Sequence, residues 1–522
     1  MITARYIISI DVGTTGYRTV IFSGDGDLVC QAYEEYTSVF ISPTWIDHDP
    51  ATWMRAAKQT LNKALNEFPG DRKNIVAIAV VSQRSTVVPV DEQGTPLDNA
   101  MLWQDKRATP QAEHIREQAG EDNIYKKTGL RIDPYFTLPK LLWMQENKPE
   151  ILEKTYKLLS VHGLIMHALT GEFVTDWTQA ARTMLFNIET LEWDEDLCER
   201  FGISRDLLPE AVPPGSIAGM LSGEAQREYG LGAVPVVSVG GDQQAAAVGL
   251  GVVRPGLMCV NTGTGSFILA HADRPMFDVQ QRIICTASAV SGKWLLEASI
   301  FTTGSVYRWF RDNLAIIEKN TAENLHIDAY DILEDELKQS PPGSGGILFI
   351  PHFAGSATPY WNPEAAGIIF GLSLGHTRDQ LIRALLEGLC FEINKNIRII
   401  ESLIGGITEI RVSGGATRSA TFTRMQADIY GKPVERGSSE QSTALGAMLI
   451  AATAVGLYPD IIHAVDSVVR FESNQRIEPD RKLSDMYQRL NTLHDDIYHA
   501  LNERDIYHRA HEIRCGMHSQ EK

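Results

Sequence analysis

Cysteine is sparse in this chain: Cys30, Cys198, Cys259, Cys285, Cys390 and Cys515 are the only six in 522 residues, and none forms a C-x-x-C pair. That excludes a disulfide scaffold and fits reduced thiols. No apolar run approaches the ~20 residues a membrane-spanning helix needs. Positive charge is also short, since 48 Lys and Arg against 66 Asp and Glu leave a net charge of −18. A phosphate backbone needs clustered cations, so nucleic acid is excluded as a partner. A single nucleotide is not excluded, because backbone N–H groups and a metal ion can hold it locally. There is no low-complexity tract and no signal-peptide pattern, so a cytoplasmic location is expected. With 43% hydrophobic residues the chain is globular, and its length calls for at least two domains.

What the chain does have is glycine at the ends of strands. Val234 to Val239 is an apolar β-branched run, Gly240-Gly241-Asp242 a sharp turn, and Ala245 onward a small-residue helix start. A carboxylate there is exposed at a strand end, where open α/β sheets bind ligands. On this segment alone Asp242 either caps the helix or does chemistry.

Three more such turns tip the balance. Tyr6 to Ile10 and Tyr17 to Phe22 are strands flanking the tip from Asp11 to Gly16. Gly13 lets backbone N–H groups approach an anion, Thr14 and Thr15 add hydroxyls, and Asp11 stands where a hydrated Mg²⁺ can be held through one carboxylate. Leu257 to Leu269 repeats the pattern around Thr262-Gly263-Thr264-Gly265, which suggests an internal duplication. The third turn, Ser413 to Ser419, ends a strand and starts a helix at Thr421, offering N–H groups to a nucleotide. Elsewhere Asp49 caps an expected helix reaching Phe68, and Ile75 to Val81 reads as a buried strand leading to Gln83-Arg84-Ser85-Thr86. Arg84, Trp103, Gln104, Asp105 and Arg107 then form a set suited to a sugar or polyol, with polar groups for hydroxyls and an indole for the C–H face. Surface loops explain them equally well at this point.

Taken in order, Asp11 to Thr15, Trp103 to Arg107, Gly129 to Phe136, Ala181 to Asn187, Gly241 to Ala245, Thr262 to Gly265, Pro359 to Trp361, Gly367 to about Phe391 and Gly414 to Ala416 resemble the motifs of the FGGY carbohydrate kinases. Glycerol-kinase-like members are nearest in motif, over almost the whole chain. The resemblance implies an α/β protein of two actin-like, ribonuclease-H-like domains, residues 1–251 and 252–522, with ATP and substrate in a catalytic cleft between them. It implies that Asp242 is the general base and that Asp11 and Asp242 lie near Mg²⁺. Thr14, Thr15, Arg18 and Thr264 match phosphate contacts, and Gly304, Arg308, Gly414, Gly415, Ala416 and Ser419 match positions around ADP. Arg84, Ser85, Trp103, Asp105, Tyr135 and Gln243 match the substrate pocket. The expected partners are a polyol or sugar and ATP, with the chain as a homodimer.

One departure matters for the substrate. Glycerol kinases have Gln-Arg-Glu-Thr where this chain has Gln83-Arg84-Ser85-Thr86. The lost carboxylate is one the family uses on a glycerol hydroxyl, and Ser85 leaves room for a larger acceptor. The expectation is therefore ATP-dependent phosphorylation of a polyol or ketose. Glycerol itself is the alternative, and a non-kinase actin-like ATPase is the rival from another class.

Overall fold

A continuous apolar run reads as a strand buried on both faces, and Tyr6–Val12 (β1) is one. In the computed structural model, which describes residues 5–42, 44–437, 441–471 and 476–520 (side chains to 515), Ile8, Ile10 and Val12 enter one core and Ile7 another. β1 turns back into Gly16–Ser23 (β2), antiparallel with Asp11 opposite Arg18, and β2 pairs with Leu28–Glu35 (β3). On its other side β1 runs parallel to Ile75–Ser82 (β4). With Ile217–Met220 (β5) and Pro235–Gly241 (β6), the sheet order is β5-β6-β4-β1-β2-β3.

The register places the site. Val12 lies opposite Ser82, and Ser82 opposite Gly241, so the carboxyl ends of β1, β4 and β6 finish level. Gly13, Gln83 and Asp242 therefore leave the sheet side by side at its carboxyl edge.

Helices cover both faces. Pro50–Glu67 (α1) begins as expected at Asp49, whose carboxylate accepts the Ala51 N–H at 2.9 Å, a cap worth about 1 kcal/mol. Thr137–Asn147 (α2) and the short Trp177–Ala180 (α3) follow, and Asp242–Gly249 (α4) starts directly from β6.

The second sheet repeats this plan. Leu257–Thr262 (β7) and Ser266–Ala272 (β8) are an antiparallel pair; Trp294–Ile300 (β9) lies beyond β8; Glu409–Ser413 (β10) runs parallel to β7, and Val434–Arg436 (β11) parallel to β10. Around it stand Gly304–Leu314 (α5), Ala329–Gln339 (α6), Arg378–Ile404 (α7) and Ala420–Tyr430 (α8). Hairpin, crossover and parallel strands recur in the same order, as the repeated strand–turn–strand pattern predicts.

Ser442–Ala454 (α9) returns to the first half of the chain and packs against α4. A Cβ on Gly446 would lie 1.9 Å from the Ala245 carbonyl oxygen, and one on Gly249 would lie 1.9 Å from that of Ser442. Only hydrogen fits at either place. The chain thus forms two compact units from interleaved segments. One is Met1–Arg254, His271–Leu295 and Gln441–Val469; the other is Pro255–Ala270, Leu296–Glu440 and Arg470–Lys522. No described helix is long and apolar enough to cross a membrane.

Candidate active site

In the first unit the β1–β2 tip is held from inside. The Tyr36 hydroxyl donates to the Gly13 carbonyl at 2.7 Å and reaches that of Gly16 at 3.1 Å. Trp103 Nε1 donates to Thr14 Oγ1 at 2.9 Å, while Thr15 is exposed and its carbonyl accepts the Tyr36 N–H. Arg18 hydrogen-bonds Gln441 and lies over the Tyr33 ring, 5.1 Å from its centroid.

Gly240 carries the backbone into Asp242. Its φ of +97° lies in the left-handed region, and a Cβ would meet Asp176 Oδ2 and Thr178 Oγ1 at 2.1 Å. Asp242 is the first residue of α4 and its side chain does not cap the helix. Its Oδ1 instead accepts the Gln243 N–H at 2.7 Å and pairs with Arg84 Nε at 3.2 Å. The Arg84 side chain is only 2% exposed and that of Asp242 26%, so a buried cation holds a carboxylate that still faces outward. Gln243 is half-buried beside it.

Asp11 is the second acid of this edge. Desolvation and the charge of Asp242 push its pKa up to about 7, against the pull of Arg18. Two carboxylates that oppose each other's ionisation suit a divalent cation, which binds through one or two carboxylates plus phosphate oxygens. Among the described residues no group of three or more His, Cys, Asp or Glu side chains forms a complete metal cage. The Asp11 and Asp242 carboxylates fit Mg²⁺, which needs only one or two carboxylates beside phosphate oxygens.

The Trp103 and Tyr135 rings stand 5.4 Å apart, and the Arg182 guanidinium lies 5.3 Å from the Tyr135 centroid. Ser85 is buried at a φ of +62°. It borders a small cavity of ≈ 30 Å³ together with Val87, Leu141, Gln179, Thr183 and Leu185. Neither Ser85 Oγ nor Gln179 Oε1 has a hydrogen-bond partner among the described residues.

Asp105 is held from within the protein. It is fully buried; its Oδ1 accepts from the Arg107 N–H at 2.9 Å, both oxygens accept from Arg107 Nε, and Oδ2 also takes Arg107 Nη2 and the Ile46 N–H. Arg107 in turn pairs with Asp47 and lies 4.8 Å from the Trp45 ring and 5.1 Å from that of Trp143. Asp105 fastens its own loop, because an acid two residues from an arginine inside a low-polarity core pairs with it.

Several groups that position this edge were not singled out from the sequence. Asp176 accepts from the N–H groups of Thr178 and Gln179, and Thr178 Oγ1 donates to Asp176 at 2.8 Å while accepting the Gly241 N–H at 2.8 Å. Gln179 Nε2 reaches the carbonyls of Gln83 and Gly240, both at 3.2 Å. Burial pushes the Asp176 carboxyl up to about 7. Lys140, fully buried, donates to Ser85 O and Tyr135 O. The one legible signal was Lys140, a single charge inside the apolar run from Leu138 to Met144.

The second unit holds the other tip. Gly263 N–H donates to Gly265 O at 2.9 Å, and the N–H groups of Thr303 and Ser305 donate to Thr264 O. Gly304 opens α5 so close to the tip that a Cβ would lie 2.2 Å from Gly263 O. Arg308 is exposed on α5. The turn after β10 leaves Gly415 facing open space, with Ala416 next to it. Ser419 caps α8 by accepting the Phe422 N–H at 2.9 Å, and its hydroxyl donates to Glu334, which also accepts the Thr421 N–H at 3.1 Å. Glu334, on α6, thus already occupies the α8 N-terminus that the sequence offered to a phosphate. Of this turn's glycines Gly414 is packed against Thr262 and Gly415 is the one that faces open space.

A three-stranded antiparallel meander continued by parallel strands, with a Gly/Thr hairpin at its head and present twice, is the actin-like arrangement. Residues 6–249 match the N-terminal domain of the FGGY family of carbohydrate kinases and residues 258–455 its C-terminal domain. The chain is 36% identical to a glycerol kinase of Thermococcus gammatolerans, over 92% of this chain and 96% of that one. It is 34% identical to glycerol kinase 2 of Thermotoga maritima, over 87% and 91%. Among solved structures, a ligand-bound xylulose kinase from Lactobacillus acidophilus superposes with a TM-score of 0.88 at 25% identity, covering 95% of this chain and 98% of that one. Plasmodium falciparum glycerol kinase with ADP gives 0.84 at 26%, covering 96% and 98%. The chain belongs to the FGGY family of carbohydrate kinases: it is an ATP-dependent phosphotransferase with an alcohol group as acceptor.

Proposed function

We propose that the acceptor is a polyol or ketose of four to six carbons, phosphorylated on a terminal hydroxyl. The observation that supports an acceptor longer than glycerol is the cavity beside Ser85, the neighbour of Arg84. Its ≈ 30 Å³ has room for about two waters, or for two further heavy atoms such as one more hydroxylated carbon. Ser85 Oγ and Gln179 Oε1, buried and unpartnered at its wall, supply a donor and an acceptor for a hydroxyl. A site of this kind discriminates strongly, because a shorter substrate leaves those atoms unpaired.

The chain's own groups divide the remaining work. Asp242, held by Arg84 and the α4 start, takes the proton of the attacking hydroxyl. Trp103 and Tyr135 offer ring faces to the acceptor's C–H groups, and Gln243 lies at the rim. Asp11 and Asp242 would hold Mg²⁺, which neutralises charge on the transferred phosphoryl group. Within the first unit Thr14, Thr15 and Arg18 are assigned to phosphate oxygens; within the second, Thr264 is assigned to phosphate and Gly304, Arg308, Gly414, Gly415, Ala416 and Ser419 to ADP.

A second reading is glycerol, favoured by the names of the curated relatives. The deciding experiment compares kcat/KM for glycerol, erythritol, ribitol, xylulose and ribulose in wild type and Ser85→Glu. We expect wild type to prefer a longer acceptor and Ser85→Glu to gain glycerol at its expense. A wild type that prefers glycerol to all the others ends the proposal.

A further inference from the structure

A lysine in the core must find acceptors, and the pair Lys140 has found is unusual in where it leads. Every side chain from Thr137 to Met144 on α2 is buried, and Lys140 is fully so. Its Nζ donates to the carbonyl of Ser85 at 2.6 Å and to that of Tyr135 at 2.8 Å. These carbonyls belong to different segments, 50 residues apart in the chain, and each carries a wall of the acceptor site. Ser85 sits at a φ of +62°, a backbone state that a non-glycine residue keeps only when its surroundings enforce it. Its neighbour Arg84 is the residue that holds Asp242. Tyr135 is tethered on its amide side by Asp133, 2.8 Å away, and stands against Trp103.

We propose that Lys140 is a positioning residue: by gripping both carbonyls it sets the distance between the Arg84–Ser85 wall and the Tyr135–Trp103 wall, and so the affinity for the acceptor, without touching it. This rests on the acceptor assignment above. The charged groups that act on the ammonium are Asp105, Asp133 and Arg107, and Asp105 is already engaged by Arg107. Burial lowers the Lys140 pKa to about 7, with Asp105 and Asp133 opposing. The amine formed at higher pH keeps two N–H donors, but its bonds lose their charge assistance.

The test is Lys140→Met, read three ways. The KM for erythritol and for xylulose should rise about tenfold, as expected for loss of charge-assisted bonds, while the KM for ATP stays within about twofold. Hydrogen exchange of the backbone at 84–87 and at 134–137 should quicken together, with the rest of the chain unchanged. In wild type the acceptor KM should climb as pH is raised through about 7, and this climb should vanish in Lys140→Met. If Lys140→Met does not fold, Lys140→Gln, which keeps N–H donors without the charge, takes its place, and an unchanged KM for the acceptor in it overturns the proposal. So does unchanged exchange in the two segments, or a KM for ATP that moves as far as that for the acceptor. Should wild type phosphorylate neither probe, the acceptor assignment fails separately, and paired exchange at the two segments still reports whether Lys140 couples them.

Discussion

Two side chains of the first unit carry opposite demands. In the proposed reaction Asp242 has to stay open to accept a proton, and the nearly buried Arg84 beside it holds its carboxylate at the site edge. Asp242→Asn keeps the size and the helix start but cannot take a proton. It should cut kcat by two orders of magnitude or more while leaving ATP binding near wild type, and near-normal turnover would remove Asp242 from the mechanism. Asp176 is closed, and its work is to hold the Gly240–Gly241 turn. Its pKa is raised in the folded state, to about 7 from 3.8, so the protonated acid is favoured inside. The stability this brings is fully present below pH ~4 and is lost as pH rises through about 7, up to about 4 kcal/mol. Asp176→Asn keeps one acceptor oxygen and cannot ionise, so its Tm should fall less than that of wild type between pH 4 and 7. Parallel Tm curves would assign the dependence elsewhere.

Helices α4 and α9 touch backbone to backbone at Gly249 and Gly446, with no room for a methyl group. The same contact sets the axis of α4, whose first residue is Asp242. Gly446→Ala therefore tests an element, not a side chain. The added Cβ meets a carbonyl that cannot rotate away, so the helices must separate. Differential scanning calorimetry should show Tm lowered by roughly 5 °C or more, and kcat should fall with it because Asp242 moves. A Tm within a degree of wild type would mean that the pair is looser than described.

At the scale of the whole molecule, the first unit takes α9 from the far end of the chain. Met448, Leu449 and Ala444 of that helix share a core with Val81, Val239 and Val248. Residues 1–254 alone would leave that face bare. We expect this fragment to bind a dye for exposed apolar surface and to aggregate, and residues 441–469 fused to it to restore a cooperative melt. A soluble, cooperatively melting 1–254 fragment would show that α9 is dispensable to the unit.

The local chemistry of the chain was written in its order of residues. Continuous apolar runs made β1, β4 and β6; Asp49 set the start of α1; glycine and threonine at the tips made the three turns, because those choices depend on a residue and its near neighbours. The family motifs were legible for the same reason. Tertiary structure alone decided what each polar group faces. Asp105 and Arg84 read alike as acceptor ligands, yet Arg107 turned Asp105 inward and Asp242 drew Arg84 to the site edge. Ser419 shares its hydroxyl with Glu334, 85 residues earlier, a partner that no spacing along the chain announces. A single cut near residue 251 could be read along the chain, whereas the return of α9 to β1, where Ser9 Oγ donates to Ala444 O at 2.8 Å, could not. Spacing along a chain encodes periodicity and turns; which buried charge meets which partner is fixed only when distant segments are packed into the same low-polarity interior.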